Sequence, residues 1–307
     1  MDALPELDDV LGRAHVVSVP LVTRFRGVDR REAVLLDGPS GWSEFAPFVE
    51  YDDAEASTWL AAALDFGWRE SGTARLRESI PVNATLPAVA LDQIATVLSR
   101  FGECRTVKIK VGEPGETLAD DVARVRETRR LIGPAGRIRL DANGAWNLDE
   151  AEHAVRALEQ FDLEYVEQPC ATVTELAELR RRIHRIDVLV AADESVRKAA
   201  DPLAVARAEA ADLLVIKAAP LGGIDRALAI VAEAGLRAQD QLCSYEDRET
   251  LVIRDRIVAE NGHSVVELTP EQIAQFEEKF EGVVAAWAQD MTKAGLDAQS
   301  VLDALKQ

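Results

Sequence analysis

From Ile80 onward the sequence repeats one figure six times: a short run of aliphatic and β-branched residues, then a longer amphipathic stretch. The strand-like runs are Ile80–Thr85, Thr106–Val111, Arg137–Asp141, Leu163–Glu167, Val188–Asp193 and Leu213–Lys217. Helical periodicity fills the intervals Ala88–Arg100, Leu118–Leu131, Leu148–Gln160, Val173–His184, Pro202–Glu209 and Ile224–Ala234. Strands joined by crossover helices run parallel, and a parallel sheet needs both faces covered. The pattern therefore predicts an α/β fold, most simply a parallel (β/α) barrel. Ahead of it, Val16 to about Phe48 alternates apolar segments with Gly and Pro punctuation. Tyr51–Trp68 then carries helical spacing behind Asp52 or Asp53 as N-cap, so this front part is expected to be a small α+β unit of antiparallel hairpins and one helix.

Active residues of parallel barrels gather at the C-terminal ends of the strands. Here successive strands end in Lys110, Asp141, Glu167, Asp193 and Lys217. One charged residue past a strand is commonplace, often a helix N-cap; five on one rim point to a site. Alternation puts Lys108 and Lys110 on one face and Val107, Ile109 and Val111 on the other, and it likewise groups Arg139, Asp141 and Asn143. Lysines turned into a barrel interior require an anionic partner, because an unpaired buried charge costs roughly several kcal/mol. Three carboxylates on adjacent strands repel one another unless protonated or bound to a cation, and hard oxygen ligands favour Mg2+. An ammonium near Mg2+ and a second ammonium has its charged form disfavoured, which is expected to lower its pKa toward the range of a base. Such a set suits removal of a proton next to a carboxylate, with Mg2+ and Lys108 neutralising the charge that develops.

Other classes lose ground on charge and residue type. Lys+Arg total 35 against 54 Asp+Glu, a net charge of −19, which argues against a broad nucleic-acid or anionic-membrane surface. No run is long and apolar enough to span a bilayer, and Met1-Asp2-Ala3-Leu4-Pro5-Glu6 lacks a basic n-region, so the expected location is the cytoplasm. Cys104, Cys170 and Cys243 read as reduced thiols, and His15, His153, His184 and His263 show no metal-ligand spacing. The basic, aromatic loop Thr23-Arg24-Phe25-Arg26-Gly27 is either a ligand contact or a solvated turn.

The Lys108-Ile109-Lys110 run, Leu140-Asp141-Ala142-Asn143, Tyr165-Val166-Glu167-Gln168-Pro169, Ala192-Asp193-Glu194-Ser195 and Ile216-Lys217 followed by Gly222-Gly223 together resemble the enolase superfamily. Within it, Arg24-Phe25-Arg26-Gly27, Trp42-Ser43-Glu44-Phe45-Ala46-Pro47-Phe48 and Tyr51-Asp52-Asp53-Ala54 are similar to the actinobacterial o-succinylbenzoate synthase family of menaquinone biosynthesis. The resemblance implies a capping domain, residues 1–79, closing over a barrel, residues 80–237. It implies Asp141, Glu167 and Asp193 as Mg2+ ligands, Lys110 as the base and Lys217 steadying the intermediate from the opposite face. Lys108, Arg139 and Asn143 would bind the carboxylate of a small-molecule substrate or order the site. The implied reaction is dehydration of 2-succinyl-6-hydroxy-2,4-cyclohexadiene-1-carboxylate to o-succinylbenzoate. Two alternatives stay open: an N-succinylamino acid racemase, since paired lysines suit two-base proton exchange, and a non-catalytic organic-acid-binding protein.

The resemblance runs from about Ala3 to about Leu236. Residues 238–307 depart from it, and barrel strands seven and eight are not evident there. Helical patterns lie near Glu249–Glu260, Pro270–Met291 and Ala298–Leu305, and only His263–Leu268 reads as a strand. The stretch from Asn261 to Asp297 is similar to the C-terminal end of periplasmic solute-binding proteins of tripartite transporters.

Overall fold

Glycine-bounded turns and β-branched runs give the front of the chain its hairpins. Strands β1 (Ala14–Phe25), β2 (Val28–Gly38) and β3 (Gly41–Phe45) form an antiparallel sheet in that order, behind a short helix α1 (Leu7–Gly12). This computed structural model describes residues 4–25, 27–70, 72, 77–198, 201–239, 269–293, 297–299 and 303. The chain divides into two units, Met1–Gln241 and Leu242–Gln307. Helix α2 (Asp53–Trp68) starts where Asp52 accepts a hydrogen bond from the Glu55 N–H at 2.8 Å. It crosses the β2–β3 hairpin backbone against backbone: the Ser40 N–H donates to the Gly67 carbonyl at 2.9 Å, and a Cβ on Gly38 would lie 2.1 Å from that same oxygen.

The alternating half builds one parallel sheet in sequence order: β4 (Ala84–Leu86), β5 (Thr106–Lys110), β6 (Arg137–Asp141), β7 (Leu163–Glu167), β8 (Leu189–Ala192) and β9 (Leu213–Leu214). Ile109, Leu140, Val166 and Val190 are wholly buried on its outer face, in one core with Val125, Val155 and Leu179. Those three belong to the covering helices α4 (Leu118–Ile132), α5 (Leu148–Leu158) and α6 (Val173–Arg182), which follow α3 (Ile94–Ser99). Each of the three covering helices opens with a capping box, Thr117 with Asp120, Asn147 with Glu150 and Thr172 with Glu175. Both partners of each box satisfy backbone N–H groups at the start of the helix, so each strand-to-helix turn has a defined exit.

The repeating pattern thus gives an α/β fold with a barrel-like parallel sheet and an N-terminal α+β domain. The differences from expectation are local. β4 starts at Ala84 rather than Ile80, because Ile80 and Val82, which make the run look like a strand, are exposed at 76% and 79%. β9 stops at Leu214, and Lys217 lies beyond it as the N-cap of the four-residue helix α9 (Ala218–Leu221). A second one-turn helix, α7 (Glu194–Arg197), follows β8 directly; α8 (Ala204–Arg207) and α10 (224–239) complete this unit. Among the described residues the parallel sheet ends at β4 on one side and β9 on the other.

The second unit contains α11 (Pro270–Lys293), on the pattern expected for Pro270–Met291. The segments Glu249–Glu260 and His263–Leu268, and most of Ala298–Leu305, lie outside the described residues. Among the described residues no helix is long and apolar enough to cross a membrane.

Candidate active site

Parallel pairing sets the site out in rows. Lys110, Asp141 and Glu167 stand side by side across β5, β6 and β7, and Lys108, Arg139 and Tyr165 form the row beneath. Asp193 follows β8 at once, and Lys217 arrives from beyond β9. Above these ends lies a cavity of about 260 Å3, with Phe48, Tyr51 and Trp59 of the N-terminal domain on its wall. Lys108, Lys110, Asp141, Asn143, Asp193, Arg197 and Lys217 supply the polar part of the lining. A lining that combines aromatic rings with ammonium groups suits a ligand with an unsaturated body and anionic ends.

The expected anionic partners of the lysines are the carboxylates themselves. Lys108 Nζ lies 3.0 Å from Asp141 Oδ2 and 2.9 Å from Glu167 Oε1, and Lys110 Nζ reaches the same Asp141 oxygen at 2.7 Å. Lys110 also donates to Asn143 Oδ1. Lys217 Nζ meets Asp193 Oδ2 at 2.6 Å; its side chain is 41% exposed, whereas Asp193 is 1% exposed. Burial alone would pull Lys108 down, yet the charges of Asp141 and Glu167 outweigh it and hold the ammonium above its ordinary value. Burial also opposes the charge on Asp141, but Lys108 and Lys110 overcome it and keep this carboxyl low. At Glu167 burial and the Asp141 charge prevail over Lys108, and the carboxyl is pushed up.

Two expected members stand back from the cavity. Glu167 lies beneath it, wholly buried under Lys108. Arg139 is not brought to the wall: its Nε donates to Glu164 Oε2 at 2.6 Å, and its guanidinium stacks 5.1 Å from the Tyr165 ring centre. Of the basic loop, Thr23 accepts from Arg100 Nη1 at 2.8 Å; the side chains of Arg24, Phe25 and Arg26 lie outside the described residues.

Residues that spacing did not mark complete the site. Gln168, wholly buried and at a left-handed φ of +40°, donates to the Cys170 carbonyl at 2.9 Å and Ser195 Oγ at 2.7 Å. Its Oε1 accepts from the Asp193 and Ser195 N–H groups at 3.0 and 3.1 Å. Arg197 Nε meets both Asp193 oxygens at 3.1 and 3.2 Å, its Nη2 donates to Glu194 Oε1 at 2.6 Å, and its Nη1 lies 3.3 Å from the Tyr51 hydroxyl. Next to it, Lys198 Nζ sits 3.3 Å from Glu55 Oε1 and 4.3 Å above the Tyr51 ring. The motif letters Gln168 and Glu194 were visible beside the expected ligands, but only the folded backbone turns them inward.

Among the described residues no three His, Cys, Asp or Glu side chains converge as a metal cage, because each carboxylate faces an ammonium or guanidinium. The donor set nonetheless has the chemistry a hard divalent cation requires. Asp141, Glu167 and Asp193 are at most 3% exposed on neighbouring strand ends, and Glu194 Oε2 is buried there with no hydrogen-bond donor.

The sequence matches two family models, one described as enolase N-terminal domain-like over residues 16–67 and one as enolase C-terminal domain-like over residues 90–237. The o-succinylbenzoate synthase of Mycolicibacterium smegmatis is 53% identical over 233 residues, which cover 76% of this chain and 70% of that one. That of Mycobacterium leprae is 52% identical over 231 residues, covering 75% and 67%. Among solved structures, the L-Ala-D/L-Glu epimerase from Bacillus subtilis superposes with a TM-score of 0.60 at 24% identity over 73% of this chain and 79% of its own. Muconate lactonizing enzyme from Pseudomonas fluorescens does so with 0.61 at 18% identity over 73% and 76%; both are likenesses of fold.

Proposed function

Because this chain belongs to the enolase superfamily, in the family of the o-succinylbenzoate synthases, we propose that it is a magnesium-dependent lyase of the menaquinone pathway. Its reaction is the dehydration of 2-succinyl-6-hydroxy-2,4-cyclohexadiene-1-carboxylate to o-succinylbenzoate. Residues 1–79 act as the cap and residues 80–237 as the catalytic body of a cytoplasmic enzyme. The observation that carries this reading is the cavity itself, in which Lys110 and Lys217 approach from β5 and from beyond β9, beneath the aromatic side chains of the cap.

Lys110, as the neutral amine, removes the proton next to the ring carboxylate, and the C–H electrons move into that carboxylate. The electrons then return to form the ring double bond as the C–O bond breaks, the hydroxyl takes the proton back from the Lys110 ammonium and departs as water, and the ring becomes aromatic. Lys108 lies next to the charge that develops, and Lys217 faces the ring from the other side, where an ammonium steadies π-electron density. Asp141, Glu167 and Asp193 would hold a magnesium ion, which would supply further positive charge at the substrate carboxylate. Asn143 holds Lys110, and Arg139 orders the row below through Glu164. The cap aromatics exclude water from the ring.

The test offers the diene substrate with Mg2+ and follows the ultraviolet absorbance of the aromatic product. In parallel, an N-succinylamino acid is checked for loss of optical rotation, because both lysines line the cavity and suit two-base racemisation. Lys110→Ala should abolish dehydration while Mg2+ binding, measured by calorimetry, persists. Retention of most activity refutes Lys110 as the base, and organic-acid binding indifferent to Mg2+ without turnover refutes the lyase.

A further inference from the structure

Buried main-chain groups at the end of a strand need partners, and at the end of β5 they find them on the helix that follows. Helix α4 begins at Leu118, so its first turns stand beside that end, and Asp121 and Arg124, three positions apart, share one face. Arg124 Nη1 donates to the Lys110 carbonyl at 3.1 Å and to Asp121 Oδ1 at 2.9 Å, while Asp121 Oδ2 accepts from the Gly112 N–H at 3.0 Å. Arg124 Nη2 donates to Glu116 Oε2 in the same turn. From the other side, the Val111 N–H donates to the Asp141 carbonyl at 3.1 Å. The peptide joining Lys110 to Val111 is thus held at both ends, its carbonyl by α4 and its N–H by β6. Beyond it Gly112 is left-handed at φ +69°, and a Cβ there would lie 2.9 Å from Trp146 Nε1, so the turn is closely packed.

Stability does not account for the ion pair. Asp121 and Arg124 are both 2% exposed, and among the described residues Arg124 Nε is buried with no acceptor. Taking two charges out of water costs about as much as their attraction returns, and apolar side chains of like volume often serve a core as well. Apolar side chains cannot, however, hold two main-chain groups in fixed directions. We infer that Arg124, braced by Asp121, is a positioning residue that fixes the end of β5 and with it the direction in which the Lys110 side chain leaves the strand. The inference rests on the reading of Lys110 as the base. A reacting group has to be held within about 0.5 Å and 10–20° of its working geometry, and turning the Lys110–Val111 peptide swings the Cα–Cβ bond that carries the amine. Arg124 touches no reacting atom; it acts through the main chain.

Removing Arg124 alone would strand a buried carboxylate, so the decisive variant replaces both partners, Asp121→Leu with Arg124→Met, beside the conservative Arg124→Lys. The double variant should unfold in urea at or above the midpoint of the parent. Its kcat should nonetheless fall by about 10- to 100-fold, the scale of a misplaced reacting group, with KM little changed. Affinity for Mg2+, measured by calorimetry, should stay as it is, because none of the proposed ligands is altered. A pair that served the fold alone would show the opposite, activity returning with stability. Lysine keeps a donor for the Lys110 carbonyl and a charge for Asp121, so Arg124→Lys should lose no more than about threefold. Unchanged kcat in the double variant, a loss confined to KM, a parallel loss of Mg2+ affinity, equal damage by Arg124→Lys, or failure of the double variant to fold overturns the inference.

A readout without turnover separates this from failure of the functional reading. In crystal structures of the parent and the double variant superposed on β6 and β7, the Lys110 Cα–Cβ bond should turn by about 10–20° or more. An unmoved bond overturns the inference whatever the substrate proves to be. If the parent turns over neither substrate, or Lys110→Ala stays active, the functional reading fails while the direction of that bond still decides what Arg124 holds.

Discussion

Replacing Gln168 by leucine removes four hydrogen bonds from a position with no solvent access, without greatly changing its volume. A neutral hydrogen bond contributes about 1 kcal/mol net, so the four amount to about 4 kcal/mol. The Asp193 and Ser195 N–H groups and the Cys170 carbonyl would be left to find other partners in the same buried space. The strain of the left-handed backbone at φ +40° remains in the variant, since leucine is no better suited to it than glutamine. Against a domain stability of about 5–15 kcal/mol, the loss is large without forcing unfolding. Urea unfolding followed by far-ultraviolet circular dichroism should show a lower midpoint at an unchanged slope. On the proposal that Asp193 is a Mg2+ ligand, affinity for Mg2+ should fall as well, because Gln168 holds the Asp193 backbone. A stability loss under about 1 kcal/mol would show that the network carries little net free energy, and the argument for Gln168 as the clamp between the β7 and β8 turns would fail.

Lys108→Met strips the ammonium shared by Asp141 and Glu167 and should cost about 3–5 kcal/mol in the same unfolding assay, because the partners left behind are buried charges. Gly38→Ala places a methyl group 2.1 Å from the Gly67 carbonyl oxygen, a backbone atom that cannot swing aside; a loss of about 1–3 kcal/mol should appear as a melting temperature several degrees lower. Burial, aided by the Glu175 charge, pushes the Cys170 thiol up to about 12. The neutral thiol is therefore the form the fold prefers: its contribution to stability is complete below about pH 9 and is lost as pH rises toward about 12. Thiol titration at pH 8 should leave Cys170 unreacted until denaturant is added.

The strands that carry most of the site were legible because alternation and parallel pairing are local consequences of the sequence. Arg137–Asp141 and Leu163–Glu167 are the strands expected, and β5 departs from its expected span only by ending at Lys110. Ile80–Thr85 misled because β-branched residues signal a strand whether or not a neighbour is there to cover them; only Ala84 and Leu86 are buried. Lys217 reads as the end of a strand, yet Leu213–Leu214 is all of β9, and the lysine caps a one-turn helix too short to leave a periodicity. Nor could spacing show that Arg139 would turn to Glu164 instead of the cavity, since both choices share the same face of β6. Gln168, Glu194 and Arg197 are ordinary letters in a row. Their roles come from the turns after β7 and β8 meeting in space, and from Tyr51, which lies 146 positions before Arg197.

Arg197 has one consequence for anyone who would treat the two domains as interchangeable parts. Its guanidinium divides its donors among Asp193, Glu194 and Tyr51 of the N-terminal domain, and Lys198 beside it holds Glu55. An N-terminal domain grafted from a relative without Tyr51 and Glu55 would unseat the same side chain that restrains Asp193. The natural joint for recombination is therefore not the linker between the domains. The dipeptide Arg197-Lys198 has to travel with the N-terminal domain, although it is encoded well inside the other one.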